Sequence, residues 1–377
     1  MSKAEYKRLG DFIREVNVRN RELKVTKLVG LTIDKTFIPS VANVIGTDLS
    51  TYKIIRKEQF ACSLMQVSRD GKMPIAMFTE DEAIMSPAYP IFEIINKKVL
   101  LPQYLMMWLT RSEFDREASY YAVGGVRGSL TWEDFCNLRL PVPSIERQHE
   151  IVTEYETLSN RIRLNEQMIK KLEETAQALY RKMFVDNIDK ENLPNGWRMG
   201  TLTDIATYLN GTACQKYETK EKEYLPVLKI RELSQGHCDD SSDHVETSIP
   251  HEYIINTGDV IFSWSATLLI DVWCGGKCAL NQHLFKVSSP KYPKWFYFLW
   301  THYHISAWKQ LISAKATSMG HIKREDLESA QVIIPPDNVI GYLNDKMHPI
   351  FEMYILIKQE NLKLTDLQSL LLAKMGR

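Results

Sequence analysis

Cysteine and histidine are the residues in this sequence with the chemistry to hold a metal ion. Cys274 and Cys278 are separated by three residues, and Cys214, His237 and Cys238 precede them in the same half of the chain. Structural zinc is usually bound by closer Cys-x-x-Cys pairs in two matched sets, and the first half of the chain has no counterpart. The alternative is that the thiols pack as small apolar side chains. The sequence favours packing, and we expect no metal site.

The sequence also lacks the usual catalytic motifs. It contains no glycine-rich phosphate loop ending in Gly-Lys-Ser/Thr, no dinucleotide-binding fingerprint and no His-Glu-x-x-His motif. Pro335–Asp337 lacks the flanking residues of an amino-methyltransferase site. The carboxylate pairs Asp81–Glu82 and Asp239–Asp240 are typical of a solvated surface. We therefore expect a chain that has no catalytic residues and binds no cofactor.

Two glycine-containing turns carry side chains suited to contact with nucleic acid. They are Val123–Ser129 and Lys315–His321, in which Gly128 and Gly320 stand 192 residues apart. Glycine lets a backbone approach a phosphate closely, and an arginine can donate two hydrogen bonds to guanine. An ordinary turn with solvated charges is the alternative. The candidate DNA-contacting residues in and beside the two turns are Gly125, Arg127, Ser129, Lys315, Ser318, His321 and Lys323.

Two further segments are secondary candidates for DNA contact. Arg69 and Lys72 lie on either side of an Asp-Gly turn and could contact phosphates. Asn281 and Gln282 are adjacent amides, and amide side chains suit adenine. The same pair could equally end a strand.

These candidate residues lie in a sequence whose two halves resemble each other, so two similar structural units are expected to position them. The second copy follows the first without a gap over its last part, and a unit near 190 residues is too long for a solenoid repeat. The repeat therefore predicts duplication of a globular domain together with the helix that follows it. The matched positions, always 192 residues apart, include Asp134 with Asp326, Pro143 with Pro335, and Met183 with Met375.

Each copy ends in a long helical segment with an apolar stripe. Heptad spacing runs through residues 151–183 and 343–375, and each stripe contains one asparagine, Asn165 or Asn361. A buried asparagine would fix the register of a helix pair. An antiparallel pair would bury both stripes, whereas packing of each helix on its own domain is the alternative. The residues expected between the helices are Leu158, Ile162, Asn165, Ile169, Leu172, Ile350, Tyr354, Ile357, Asn361 and Leu364.

The globular parts combine helices and strands, which indicates the α+β class. Amphipathic helices are predicted at Tyr104–Arg116 and Trp295–Leu311. Leu193–Trp197 is predicted to be the turn that opens the second globular domain. The predicted strands are Ala83–Met85, Pro90–Ile95, Val260–Trp264 and Leu284–Val287.

Composition places the chain among ordinary globular proteins. It is 44% hydrophobic and 25% charged, and 47 basic residues balance 47 acidic ones. A net charge of zero argues against a protein that binds nucleic acid over its whole surface, so DNA contact would need local patches or partners. Scattered cysteines without a targeting signal or apolar span indicate a cytoplasmic protein.

The sequence resembles the specificity (S) subunits of type I restriction-modification systems. The likeness is carried by Gly128–Phe135, Leu140–Gln148, Lys171–Met183 and Leu193–Trp197, which occur in the family's order over essentially the whole chain. The second copy departs from the pattern at Pro336–Ile340, which lacks the acidic residue and glutamine that begin the first helix.

This resemblance implies two similar target-recognition domains separated by two long antiparallel coiled-coil helices, in a pseudo-two-fold internal repeat. The expected first target-recognition domain is 1–143 and the first long spacer helix 144–190. The second target-recognition domain is expected at 191–336 and the second long spacer helix at 337–377.

The resemblance also implies a function and partners. Each domain would read one half of a split, asymmetric DNA site, while the helices set the spacing and dock two modification methyltransferase subunits. S-adenosylmethionine, ATP and Mg²⁺ would be bound by partner subunits, which include a restriction translocase/endonuclease. Two alternatives remain: a non-catalytic protein-interaction scaffold, which the even charge favours, and a self-contained DNA methyltransferase or nuclease.

Overall fold

The computed structural model describes residues 5–42, 46–65, 67–123, 128–186, 188–314 and 321–376. The chain forms two compact units: unit 1 is Met1–Asn160 with Asp366–Arg377, and unit 2 is Arg161–Thr365. Each unit contains one globular part, the start of one long helix and the end of the other. Among the helices described, none is both long and apolar enough to cross a membrane.

Unit 1 begins with short strands and ends its globular part with helices. Its helices are α1 (Val67–Asp70), α2 (Pro102–Thr110), α3 (Ser112–Ala122) and α4 (Trp132–Asn137), followed by the long helix α5 (Ile145–Phe184). Its strands are β1 (Tyr6–Arg8), β2 (Ile13–Val16), β3 (Val29–Leu31), β4 (Phe37–Pro39), β5 (Lys53–Arg56), β6 (Phe60–Cys62), β7 (Ile75–Met77), β8 (Glu82–Met85), β9 (Ile91–Ile94) and β10 (Arg139–Pro141).

An antiparallel four-stranded sheet in the order β2-β9-β6-β7 forms the centre of unit 1. Phe60 and Phe92 stack across neighbouring strands with their ring centroids 5.0 Å apart. Both rings are fully buried, together with Leu105, Phe114 and Phe135 from the helices. Two-stranded pairs β1-β10, β3-β4 and β5-β8 complete the unit.

Unit 2 repeats this plan with different lengths. Its helices are α6 (Leu202–Ile205), α7 (Ile230–Gln235), α8 (Lys294–Ala314), α9 (Arg324–Ser329) and the start of the long helix α10 (Asp337–Lys374). Its strands are β11 (Arg198–Thr201), β12 (Thr207–Asn210), β13 (Leu225–Leu228), β14 (His244–Val245), β15 (Ile254–Ile255), β16 (Val260–Ser263), β17 (Leu269–Val272), β18 (Cys278–Leu280), β19 (Leu284–Ser288) and β20 (Gln331–Ile334).

The two units share a common frame. The sheet β12-β19-β16-β17 has the same order as β2-β9-β6-β7, and β11-β20 matches β1-β10. Helices α4 and α9 begin 192 residues apart, and in each the third residue, Asp134 or Asp326, accepts a hydrogen bond from the capping backbone N–H. The predicted duplication of an α+β domain is therefore confirmed.

The units differ outside this frame. Unit 2 has a second four-stranded sheet, β14-β13-β18-β15, where unit 1 has the pairs β3-β4 and β5-β8. The prediction of a single helix over Tyr104–Arg116 was wrong, because the helix is interrupted at Arg111, whose ψ of 143° is extended. The buried Arg111 guanidinium instead lies 4.1 Å from the ring centroid of Trp108. The matching α8 is continuous, as predicted.

The long helices pack against each other within each unit. In unit 2 the Asn165 amide donates to Asn361 Oδ1 at 2.9 Å. Glu173, which is later in α5 than Asn165, contacts Tyr354, which is earlier in α10 than Asn361. In unit 1 the Gln368 amide donates to Ser159 Oγ at 2.6 Å. These contacts make the helices antiparallel, as the heptad stripes predict.

Candidate nucleic-acid interface

Along the chain, the two segments predicted as glycine turns fall between α3 and α4 in unit 1 and between α8 and α9 in unit 2. Of their candidate residues, Gly125, Arg127, Lys315 and Ser318 fall outside the residues that the structure describes. Gly128, Ser129 and His321 are described, and they show where each segment joins the globular part of its unit.

The two turns end at equivalent places. In unit 1 the N–H of Leu130 donates to the Leu64 carbonyl at 2.9 Å, and in unit 2 the N–H of Ile322 donates to the Trp264 carbonyl at 2.9 Å. Leu64 and Trp264 follow the matching central strands β6 and β16. The same backbone position therefore carries Ser129 in unit 1 and His321 in unit 2.

In unit 1 Gly128, near the end of this segment, lies against α1, which carries Arg69. Gly128 has a φ of +69°, and a Cβ added there would lie 2.1 Å from Ser68 Oγ. Only glycine fits this close approach, so Ser129 and Arg69 are brought to one surface. Arg69 is exposed and pairs with Asp70 at 2.7 Å. Lys72, also exposed, lies 3.9 Å from Asp34.

Several large side chains are exposed near the described ends of this segment of unit 1. Tyr120 and Tyr121 end α3 with 76% and 51% of their surface exposed, and Val123 is 74% exposed. Met65, beyond the end of β6, is 56% exposed. Aromatic rings stack on unpaired bases without regard to sequence, so two exposed tyrosines beside a glycine turn suit nucleic acid. The tyrosine pair that precedes Ala122 and Val123 was a signal that the sequence interpretation missed.

Unit 2 forms an open cleft at the equivalent position. Its volume is about 730 Å³, and His321 and Lys323 both line it, as does the adjacent Arg324. All three are exposed. The cleft also contains Asn210 and Trp264, two residues that sequence reasoning did not select.

Trp264 is the centre of the polar and aromatic contacts in this cleft. Its ring centroid lies 5.5 Å from that of His321 and 5.8 Å from that of His283. Its indole N–H donates to Asn210 Oδ1 at 3.1 Å. Ser265 Oγ lies 3.5 Å from His283 Nδ1. The cleft thus combines a half-buried aromatic ring with exposed imidazole, amide and cationic groups.

Asn281 is placed differently from its sequence interpretation as an adenine-reading residue. Its side chain is buried, with 3% of the residue exposed, and its Oδ1 accepts from the His283 N–H at 3.3 Å. The amide therefore stabilises the turn after β18 and does not face a ligand. Gln282 is half-buried, and the exposed side chain of this turn is His283.

The cysteines of unit 2 pack inside it. Cys214, Cys274 and Cys278 are buried, and Cys238 is half-buried beside Cys278. Burial raises the pKa of Cys214 to about 11 and that of Cys274 to about 11. These two thiols are therefore protonated near neutral pH. Across the described ranges, His, Cys, Asp and Glu form no group of three suited to a metal ion.

Between the long helices, Asn165 lies at the centre of a polar layer. It is 2% exposed and donates to Asn361 Oδ1 at 2.9 Å and Glu360 Oε2 at 2.8 Å. The Arg161 guanidinium donates two hydrogen bonds of 3.0 Å to the Glu360 carboxylate. The Arg161 contact, with Asn165, holds the pKa of Glu360 below its usual range.

The remaining predicted interface residues are buried or half-buried along the helices. Tyr354 additionally reaches the globular part, since its hydroxyl donates to Asp271 Oδ1 at 2.8 Å. The Lys358 ammonium forms an ion pair with the same Asp271 carboxylate, so two side chains of α10 contact β17. The others are Leu158, Ile162, Ile169, Leu172, Ile350, Ile357 and Leu364.

One face of the helix pair remains apolar and exposed. In unit 2 the Arg161–Glu360 pair marks this face, and residues three, four or seven positions away on a helix share it. They are Leu164, Met168, Met353 and Leu356, whose exposed fractions are 50%, 47%, 48% and 57%. In unit 1, α10 exposes Leu367 and Leu370.

Comparisons with known proteins agree with this architecture. A family model described as the type I restriction modification DNA specificity domain matches residues 2–174 and 194–365, one match in each copy of the repeat. The chain is 24% identical over 292 residues to the type I restriction enzyme MjaIX specificity subunit of Methanocaldococcus jannaschii, covering 72% of this chain and 67% of that protein.

Two further similarities are more limited. The type I restriction enzyme HindI specificity subunit of Haemophilus influenzae is 30% identical over 108 residues, which is 28% of this chain and 23% of that protein. The crystal structure of a type I restriction-modification S subunit from M. genitalium has a TM-score of 0.58 at 10% identity, covering 100% of this chain and 97% of that one. The second likeness concerns the fold.

Proposed function

The chain belongs to the type I restriction-modification DNA specificity family, and from that premise we propose that each unit reads one half of a split, asymmetric DNA sequence. As a specificity subunit it recognises DNA and has no catalytic role. The observation that carries the proposal is the shared frame with different side chains at one position. Ser129 and His321 occupy that position in units 1 and 2, as two different half-sites would require.

Local cations would position the units on DNA. Lys323 and Arg324 line the cleft of unit 2, and Arg69 and Lys72 lie near the turn of unit 1. Cations of this kind contact phosphates and fix the register of a protein on the duplex. Because the chain has no net charge, partner subunits would supply much of the phosphate neutralisation.

We propose the exposed apolar face of the helix pair as the docking surface for modification methyltransferase subunits. Exposed apolar patches of this kind mark protein interfaces. Leu164 and Leu356 are 192 residues apart and both about half-exposed, so the repeat offers one such position for each of two methyltransferase copies. A restriction translocase/endonuclease would complete the assembly, which works on DNA in the cytoplasm. S-adenosylmethionine, ATP and Mg²⁺ would be bound by these partners.

The test is to co-express the chain with the modification subunit of its own system and map methylated adenines across a genome. One split, asymmetric motif is the expected result. Exchange of residues 1–140 for those of another family member should then change only one half of the motif. An assembled complex that is supplied with cofactor but methylates no common motif would contradict the proposal and favour a protein-interaction scaffold.

A further inference from the structure

We propose that Asn210 reads a hydrogen-bond acceptor on a base in the half-site of unit 2, and that Trp264 is the residue that positions its amide. The inference rests on the proposed function, because it names one side chain through which unit 2 reads DNA. It adds what that function leaves open, namely the chemistry read and the residue that reads it.

The orientation of the Asn210 amide follows from its partner. The Trp264 indole N–H lies 3.1 Å from Asn210 Oδ1. An indole nitrogen is only a donor, so the amide oxygen must face it and the amide NH₂ must face the other way. Asparagine usually presents either a donor or an acceptor, but here the contact fixes the donor side outward.

Both side chains stand on rigid backbone. Asn210 is the last residue of β12 and pairs with Phe285 of β19. Gly211 follows it, and a Cβ there would lie 2.2 Å from the Asn281 carbonyl oxygen, so the strand end is tightly packed. Trp264 is held by the hydrogen bond from Ile322 to its carbonyl. A base-reading group supported in this way loses little entropy on binding.

The amide lies among groups that suit DNA. Asn210 and Trp264 line the same open cleft as His321, Lys323 and Arg324. Lysine and arginine supply phosphate contacts, which carry no sequence information, whereas an oriented amide can distinguish base edges. The acceptors that an outward NH₂ can reach in the major groove are guanine N7 and O6, adenine N7 and thymine O4.

Unit 1 carries an asparagine at the matching position but lacks the group that orients the amide in unit 2. The Leu9 N–H donates to the Leu138 carbonyl as the Leu202 N–H donates to the Ala330 carbonyl, so Leu9 corresponds to Leu202 and, eight residues later in each unit, Asn17 corresponds to Asn210. Leu64 stands in the place of Trp264 and has no side-chain N–H to donate. The two units can therefore present different hydrogen-bonding groups from the same strand position.

The experiment uses the complete complex with the modification subunit and maps methylated adenines for three forms. Asn210→Asp keeps an oxygen for Trp264 but turns the outward donor into an acceptor. Trp264→Phe keeps an aromatic ring but removes the donor that orients the amide. Asn344→Asp is the matched control, because Asn344 Oδ1 also accepts an indole N–H, from Trp295 at 2.9 Å, away from the cleft.

The expected result is a change at one base position, confined to one half of the motif. Asn210→Asp should lower methylation of the original site by about 5-fold to 150-fold, the discrimination that one good base contact provides. Trp264→Phe should make the same position degenerate, since the amide can then present either side. A merely structural role would not relax one base position.

Two outcomes overturn the inference. An unchanged motif in both variants shows that Asn210 does not read a base. Weaker methylation of all sites with an unchanged motif shows a phosphate contact or a folding defect. If the wild-type and Asn344→Asp complexes yield no split motif, the proposed function itself fails, which is distinct from a wild-type motif that ignores Asn210.

Discussion

The polar layer between the long helices predicts a specific pattern of stabilities. We consider Asn165→Leu, Asn361→Leu and the double variant. Asn361→Leu leaves the buried Asn165 with Glu360 as its remaining partner, and Asn165→Leu leaves the half-buried Asn361 without Asn165, whereas the double change replaces both amides by apolar side chains. An unsatisfied buried group costs about 1–3 kcal/mol. Because Asn165 is 2% exposed but Asn361 is half-buried, we expect the lower part of this range.

The double variant should therefore be more stable than the sum of the singles by about 1–2 kcal/mol. With an m value of about 2 kcal/mol/M in urea, this corresponds to about 0.5–1 M in the unfolding midpoint. Tryptophan fluorescence reports mainly on unit 2, which holds six of the eight tryptophans.

The control pairs Asn361→Leu with Gln167→Leu, which is exposed on α5 and two residues from Asn165. Residues two apart do not share a helix face, so these changes should add within about 0.5 kcal/mol. The reasoning would be refuted if the free-energy changes of Asn165→Leu and Asn361→Leu also added within about 0.5 kcal/mol, because the two amides would then not interact.

Three further results are expected. Gly211→Ala places a Cβ 2.2 Å from a backbone oxygen and should destabilise unit 2 by about 1–3 kcal/mol. Gly341 in α10 has open space around it, so Gly341→Ala should stabilise the protein by about 0.5–1 kcal/mol. Thermal unfolding of both variants would test these opposite signs. Arg161 lowers the pKa of Glu360, so the stabilising contribution of Glu360 is complete above the ordinary carboxyl pKa and is lost as pH falls through the lowered value. The unfolding midpoint of the wild type should therefore fall between pH 5 and pH 3 by more than the midpoint of Glu360→Gln, and unfolding of both proteins at these pH values would test this. Leu164→Glu should reduce co-purification with the modification subunit by about 10-fold or more while leaving the unfolding midpoint unchanged; retained binding would move the docking surface elsewhere.

Features with a local or periodic signal could be predicted from the sequence. The heptad stripes gave the long helices, and the 192-residue repeat gave the duplicated domain with its matched α4 and α9. The turn at Leu193–Trp197 was also predicted, and the structure closes it with a hydrogen bond from the Trp197 N–H to the Pro194 carbonyl at 2.9 Å. These features depend on spacing that is visible along the chain.

Features set by long-range packing could not be predicted. The break at Arg111 depends on a buried guanidinium over Trp108, and the burial of Asn281 depends on the neighbouring strand. The contact between Asn210 and Trp264 joins the last residue of β12 to the residue that follows β16, 54 positions away along the chain, so neither was selected. The assignment of DNA-contacting residues remains a prediction, including the turn residues outside the described ranges.

The division between a shared frame and divergent parts has a consequence for how such a protein evolves. The central sheets, α4, α9 and the long helices recur in both units, whereas the second sheet of unit 2 replaces two strand pairs of unit 1. Substitution of a side chain that differs between the units, or exchange of one globular part, can alter one half of the target while the subunit interfaces stay as they were. New targets can thus arise without any compensating change in the enzymes that act on them.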